Sequence, residues 1–225
     1  ETAGDHLWAV RDGNRQQRGQ GWWIRTTENL AARLRDGAGN LIWRIPLVSP
    51  VTFHAAAPLP LDPYQLGELL ADGSLTHPTV HFCCGDDGVP REVAKVLPPG
   101  VALNCRPSAG HSAPRWSLTT PAGQSNPALD ALRSLGLIGT HSYERFIPKP
   151  YLYAGVEQRI ALLQGLLDTD GEVRADYVGL DTSSPQLADD VTFLVQALGG
   201  VVRRRFRAEP KYTHNGEHRI GRPSY

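Results

Sequence analysis

The sequence predicts an α+β protein in which one helix-and-strand unit occurs twice behind a small strand-rich segment. Three observations carry this. The run Leu163-Gln164-Gly165-Leu166-Leu167-Asp168-Thr169-Asp170-Gly171 is apolar and ends in Asp-Thr-Asp-Gly. A second run, Tyr64-Gln65-Leu66-Gly67-Glu68-Leu69-Leu70-Ala71-Asp72-Gly73, has the same layout 98 residues upstream. Short alternating strands and capped helices follow both runs, whereas residues 1–50 offer only brief strand-like stretches.

Each element has a local reason. In the N-terminal segment, strands are expected over Asp5 to Val10 and Gly21 to Thr26, a helix over Thr27 to Arg35, and an extended stretch over Leu41 to Val48 limited by Pro46. Asp62-Pro63 starts the first motif helix, with Asp as N-cap and Pro in the first turn. Strand Thr79 to Cys84, helix Pro90 to Leu97 and strands Val101 to Arg106 and Arg115 to Thr119 follow. Asn126-Pro127 opens a helix that runs through Leu135 and stops at Gly136.

The second motif helix should bury Val156, Ile160, Leu163 and Leu167 on one face, widened by Leu162 and Leu166. Gly171 is expected to stop it in a left-handed conformation. Glu172 to Thr182 should form a hairpin or bent strand, and Ser184-Pro185 a helix through Leu198. Val201 to Arg207 should be a strand, with another from Arg219 across an Asn215-Gly216 turn. The first unit reads αββαββα. The second reads αββαββ and lacks the closing helix. The division is thus 1–58, 59–150 and 151–225.

The motif spacing has chemical consequences. Gly67 and Ala71, like Gly165 and Thr169, put small residues on one helix face one turn before the aspartate. Small faces let two helix backbones approach closely, which would bring Asp72 and Asp170 side by side. Two adjacent carboxylates at the negative ends of two helices repel unless a proton or cation answers them. Hard oxygen ligands with room for water favour Mg²⁺, with Mn²⁺ as the alternative.

Bulk properties narrow the field. The formal net charge is zero, a mild argument against nucleic acid as partner. Yet residues 201–225 carry Arg203, Arg204, Arg205, Arg207, Lys211, Arg219 and Arg222 against Glu209 and Glu217. Read with the motifs, that excess favours phosphate contact, and Arg203, Arg205 and Arg207 would share one strand face. Cys83, Cys84 and Cys105 form no paired framework and suit reduced thiols in a cytoplasmic protein. No run is apolar enough to cross a membrane.

These residues resemble the LAGLIDADG homing endonucleases embedded in inteins. The downstream motif is similar throughout. The upstream one departs at Glu68, where the family has Leu. The approach Glu144-Arg145-Phe146-Ile147-Pro148 and the helix from Ser183-Ser184-Pro185 to Leu198-Gly199-Gly200 are similar as well. The resemblance implies two pseudo-symmetric LAGLIDADG units in one monomer, each with a curved antiparallel sheet saddling double-stranded DNA at a long asymmetric site. It also implies that residues 1–58 are a remnant of a Hint-like splicing domain. His6 after Thr2 is similar to that domain's Thr-x-x-His pattern but spaced one residue longer. Glu1 is no splicing nucleophile, and His214-Asn215 runs on into Gly216, so the chain reads as an internal piece of an intein.

The activity so implied is metal-assisted hydrolysis of both DNA strands. Asp72 and Asp170 would be catalytic metal ligands, with Arg145 or Lys149 as the nearby basic group. Arg145 stands where the family carries Lys and is a poor proton shuttle. Arg203, Arg205, Arg207, Lys211 and Arg219 would contact DNA. Two other functions fit the same residues: a degenerate LAGLIDADG module that binds DNA without cutting, and an RNA maturase.

Overall fold

The structure, a computed structural model, describes residues 2–53, 58–107, 113–214 and 216–225. It divides into two compact units, Glu1–Ser49 and Pro50–Tyr225.

In the first unit, β1 (Leu7–Val10) pairs antiparallel with β2 (Trp23–Thr26), Leu7 opposite Thr26 and Val10 opposite Trp23. The intervening polar stretch is a short helix, α1 (Gly13–Gln17), whose N-cap Asp12 accepts the Arg15 N–H at 2.8 Å. Thr26 caps α2 (Thr27–Ala31) in the same way. The stretch from Leu41 to Val48, expected to be extended, joins no strand. It makes only single bridges, Arg35 with Leu41 and Arg11 with Arg44. Val10 is this unit's one buried hydrophobic side chain among the described residues. Arginine-on-tryptophan stacking supplies much of the rest: Arg15 and Arg25 both stack on the Trp23 ring, 4.0 and 4.7 Å from its centroid.

The second unit begins with α3 (Pro63–Ala71). Asp62 accepts the N–H groups of Tyr64 and Gln65, as its N-cap position requires. Next come β3 (His81–Cys83), α4 (Gly88–Lys95), β4 (Ala102–Arg106) and β5 (Arg115–Thr119). The strands form one antiparallel sheet in the order β3-β5-β4. The helix α5 (Pro127–Ser134) is capped by Asn126. A 3₁₀ turn at Ser142–Glu144 and the short helix α6 (Lys149–Leu152) lead into α7 (Val156–Asp170). A hairpin of β6 (Gly171–Val173) and β7 (Val178–Leu180) follows, then α8 (Pro185–Ala197) and a hairpin of β8 (Lys211–His214) and β9 (Glu217–Ile220). Asn215 lies outside the described residues. Gly216 beside it has φ +80°, as a tight hairpin turn requires.

The core lies around α3. Leu66, Leu69 and Leu70 pack with Leu162 and Leu166 of α7, Phe82 and Leu118 of the sheet, Leu132 of α5, and Leu187 and Leu194 of α8. Each of these apolar side chains contributes roughly 1.5–3 kcal/mol by leaving water. The buried charge Arg159 joins the start of this unit to its helices. It donates to the carbonyls of Ala154 (3.0 Å), Ala197 (3.2 Å) and Val51, and Phe53 covers its guanidinium. Two of those carbonyls close the segment around Val51 onto the end of α8, where a cation is favoured by the helix dipole.

The structure corrects four expectations. The buried face of α7 runs through Arg159, Leu162, Gly165 and Leu166, while Val156, Ile160, Leu163 and Leu167 are only half-buried. The face turns because its centre must be a residue small enough to touch α3, and that is Gly165 rather than a leucine. Gly171 is extended (φ −78°, ψ 142°), not left-handed. Glycine is needed there because a Cβ would strike the carbonyl oxygen of Leu167.

The third correction concerns Val201 to Arg207, which form no strand beyond a single bridge from Arg207 to Ser224. Among the described residues no neighbouring strand offers that segment a ladder, so Arg203, Arg205 and Arg207 share no strand face. Fourth, the sheets are smaller than two matched saddles. The first half has one three-stranded sheet, with a lone Ser74–His81 bridge in place of one strand, and the second half has two separate hairpins.

Candidate functional site

The site starts from a glycine pair. A Cβ on Gly67 would fall on the carbonyl oxygen of Leu162 and lie 3.1 Å from the Gly165 Cα. A Cβ on Gly165 would fall on the carbonyl oxygen of Tyr64 and lie 2.9 Å from the Glu68 nitrogen. The backbones of α3 and α7 therefore touch, which only side-chain-free positions permit. Across the same contact, the Tyr64 hydroxyl donates to Asp168 at 3.0 Å.

Both helices end on the same side of this contact. Asp72 is the C-cap of α3, and Asp170 is the last residue of α7. Asp170 feels the charge of Asp72. Burial and then the Asp72 charge push Asp170 above the usual carboxylate range, against the opposing pull of Arg145. Burial likewise raises Asp72, although the Cys83 N–H at 3.2 Å and Arg145 favour its charged form. Asp170 is largely exposed by surface yet lines the cavity wall, so it is screened on one side only.

Arg145 is buried at the centre. It donates to the carbonyls of Leu70 (2.7 Å), Ala71 (2.5 Å) and Gly73, the groups that the end of α3 leaves without partners. It makes no ion pair within 4.0 Å among the described residues. Its charge nonetheless acts on Asp170, Asp72 and Glu68. The loop that carries it is tied to α8: Ser184 Oγ donates to the Arg145 carbonyl at 2.6 Å, and Asp190 Oδ2 accepts the Ile147 N–H at 2.8 Å. Asp190 is thus a buried anchor, not the solvated charge its place in a polar helix turn suggests.

A cavity of about 120 Å³ opens beside this group, lined by Ala71, Ser142, Arg145, Asp170, Asp181 and Thr182 among others. Asp181 was not foreseen. It adds a second like charge to Asp170 and pairs with Arg207. No signal in the sequence around Leu180 distinguishes it from a surface strand residue.

Glu68 is the unusual member. It is fully buried and neither carboxyl oxygen has a partner; the amide of Gln65 one turn earlier is in the same state. Burial pushes the Glu68 carboxyl well above its ordinary range, and Asp72 adds to the effect. Aligned on the motif glycines, Glu68 stands where the second helix has Leu166, and that register was the signal for its burial. Glu68→Leu is expected to raise stability by about 1–3 kcal/mol, because an unpaired buried polar group is removed. Thermal unfolding of the variant beside the parent measures it; a fall in melting temperature would show that Glu68 has a partner.

The other residues singled out in the sequence lie apart from one another. Lys149 is exposed at the start of α6. Arg203 and Arg205 are exposed and form no ion pair among the described residues, whereas Arg204 pairs with Asp189. Lys211 lies opposite Ile220, and Arg219 lies opposite Tyr212. Side chains alternate along a strand, so Lys211 and Arg219 point to opposite faces of their hairpin.

Asp170 and Asp181 are the carboxylates on the cavity wall, and Asp72 is not among its lining residues. A cavity with room for water beside carboxylates suits Mg²⁺, which commonly takes only one or two carboxylates while keeping several waters. No group of three His, Cys, Asp or Glu side chains able to hold a metal occurs among the described residues. The remaining ligands would therefore be water and substrate oxygens. Among the described residues, no helix is long and apolar enough to cross a membrane.

Comparison with known proteins bears on much of the chain. The replicative DNA helicase DnaB of Mycobacterium intracellulare is 42% identical over 69 residues, covering 30% of this chain and 11% of that protein. The replicative DNA helicase DnaB of Rhodothermus marinus is 31% identical over 172 residues, covering 69% of this chain and 18% of that protein. The chain thus spans less than a fifth of the length of either curated relative. The model of the LAGLIDADG-like domain matches residues 157–222, which hold α7, both hairpins and α8. This chain therefore carries a LAGLIDADG-like domain in its second half.

Proposed function

We propose that the protein is a site-specific endonuclease that cuts both strands of duplex DNA at a long asymmetric site, acting as a monomer with internal pseudo-two-fold symmetry. The observation that carries this is the glycine-to-glycine contact of α3 and α7, beyond which each helix ends in an aspartate, with the Asp72 charge acting on Asp170. The first helix lies outside the matched domain, yet it repeats the packing glycine and terminal aspartate of the second. The match to short stretches of much longer replicative helicases supports a segment inserted in a host protein, as the intein reading holds.

In this reading Asp72 and Asp170 would hold the Mg²⁺ or Mn²⁺ on which hydrolysis depends. The metal, when bound, lowers the pKa of its water and stabilises the charged transition state. Asp72 is aimed by the Cys83 N–H, and Asp170 by its place in the last turn of α7. Arg145 remains charged and cannot take the proton from water; its N–H groups hold the end of α3. Arg203 and Arg205, with Lys211 or Arg219 from one face of the last hairpin, would contact phosphates, positioning the duplex without reading its sequence.

The test is cleavage of a randomised duplex library in Mg²⁺, in Ca²⁺, and by Asp170→Asn. One long cut sequence should be enriched in Mg²⁺ and lost in Ca²⁺. Asp170→Asn should lower cutting on the order of a thousandfold or more. A second reading, a module that binds DNA without cutting, is favoured by Glu68 buried in the first motif helix and by Arg145 being occupied as a cap. Selective binding with no cutting in any metal would establish it.

A further inference from the structure

Arg145 holds a charge that reaches beyond the one helix it caps. Its guanidinium is buried at the meeting of two helix C-termini, each carrying partial negative charge and a carboxylate. It caps α3 through three carbonyls and borders the same cavity as Asp170. Its backbone is fixed from the other side by Ser184 and Asp190 of the α8 region. A side chain tethered at both ends cannot swing away when another cation arrives.

We propose that Arg145 is a built-in cation that holds Asp72 and Asp170 together in the metal-free protein and, by the same charge, weakens the binding of a divalent ion there. This rests on the reading of the two aspartates as metal ligands. Arg145 acts through those carboxylates and is a positioning residue. The protein then folds with the two aspartates already adjacent, and tight ion binding waits for the negative phosphates of a substrate. Neutralising Arg145 removes one positive charge from beside the ion, so metal affinity rises while metal-free stability falls. A purely structural cap gives the opposite sign for metal, since a loosened α3 end misplaces Asp72.

The experiment uses the whole chain and Ca²⁺ as the probe. Calorimetric titration with Ca²⁺ and melting in chelator are compared for the parent, Arg145→Gln, Arg145→Lys and Asp170→Asn. Arg145→Gln is expected to bind Ca²⁺ on the order of tenfold more tightly than the parent and to melt lower in chelator. Arg145→Lys, which keeps the charge, should retain the parent's affinity. Binding by Arg145→Gln that is unchanged or weaker overturns the proposal. If the parent binds Ca²⁺ and Asp170→Asn does not, the metal reading stands whatever Arg145 does. If neither the parent nor Arg145→Gln shows binding that depends on Asp170, the metal reading fails, and the weakening role of Arg145 fails with it.

The metal-free role has its own readout. Asp170→Asn added to Arg145→Gln should restore part of the lost melting temperature, because one of the repelling charges is gone. Strictly additive effects overturn that role. Should Arg145→Gln alone not fold, the double variant is expected to fold, and its failure to do so overturns the role as well.

Discussion

Gly165→Ala is expected to cost about 3 kcal/mol or more and to separate the two motif helices. The added methyl has nowhere to go. It would fall on the carbonyl oxygen of Tyr64 and within 2.9 Å of the Glu68 nitrogen, both of which are helix backbone. Backbone in a packed helix cannot yield as the end of a flexible side chain can, so the helices must part by a distance that opens the core they share. Alanine is otherwise the better helix residue, worth up to about 1 kcal/mol in an open helix, so a loss of this size isolates the contact. Gly155→Ala is the control, because its nearest neighbour is the Gln158 side-chain oxygen at 3.5 Å. Chemical denaturation of both variants gives the numbers. A change at Gly165 no larger than at Gly155 would mean that the helices are not in backbone contact. Loss of cleavage should accompany the loss of stability, since the aspartates separate with the helices.

The second large effect concerns charge at the paired carboxylates. Without metal, the protein should become more stable as pH falls from neutral, the reverse of ordinary acid denaturation. Asp72, Asp170 and Glu68 all have carboxyl groups raised in the folded state, each chiefly by burial. Where the folded pKa exceeds the unfolded one, the native state holds protons that the unfolded chain has released. Stability therefore falls as pH rises from the ordinary carboxylate value near 4, and levels off above the folded values. Asp170→Asn should flatten this dependence and raise metal-free stability at neutral pH by about 1 kcal/mol or less, a modest figure because solvent screens an exposed carboxylate. Saturating Mg²⁺ should flatten it in the parent, since a bound cation answers the same charges. Melting curves in chelator between mildly acidic and neutral pH would decide this. Stability that falls steadily toward acid, with Asp170→Asn no different, would show that the carboxylates are not held together.

Local structure was legible where a single residue type has a strong local reason. The caps at Asp62, Asn126 and Ser184 form as their positions imply, because a side-chain oxygen beside unpaired helix N–H groups needs nothing distant. The strands Ala102–Arg106 and Arg115–Thr119 follow from alternation. The stretch from Val201 to Arg207 would put Val202 and Phe206 on one strand face and Arg203, Arg205 and Arg207 on the other, yet it forms no strand, because a ladder needs a partner and side-chain pattern cannot supply one. Likewise, a run of arginines predicts charge but not direction: Arg204 and Arg207 are drawn to Asp189 and Asp181, and Arg203 and Arg205 are left exposed.

The motif itself shows the division most clearly. By itself the sequence determined that two helices of similar pattern end in aspartate and carry a glycine one turn and a half earlier. It also determined that such an end requires a cation. Only the tertiary structure decided which cation lies nearest. Arg145 comes from a loop remote in sequence, anchored by α8, and its identity as a cap on α3 depends on three carbonyls that no pattern in the chain points to. The tertiary structure likewise decided that Asp181 faces the cavity. Spacing along a chain sets which residues share a face of their own helix or strand; the neighbour that a face meets, and so the charge it feels, is set by packing between elements far apart in sequence.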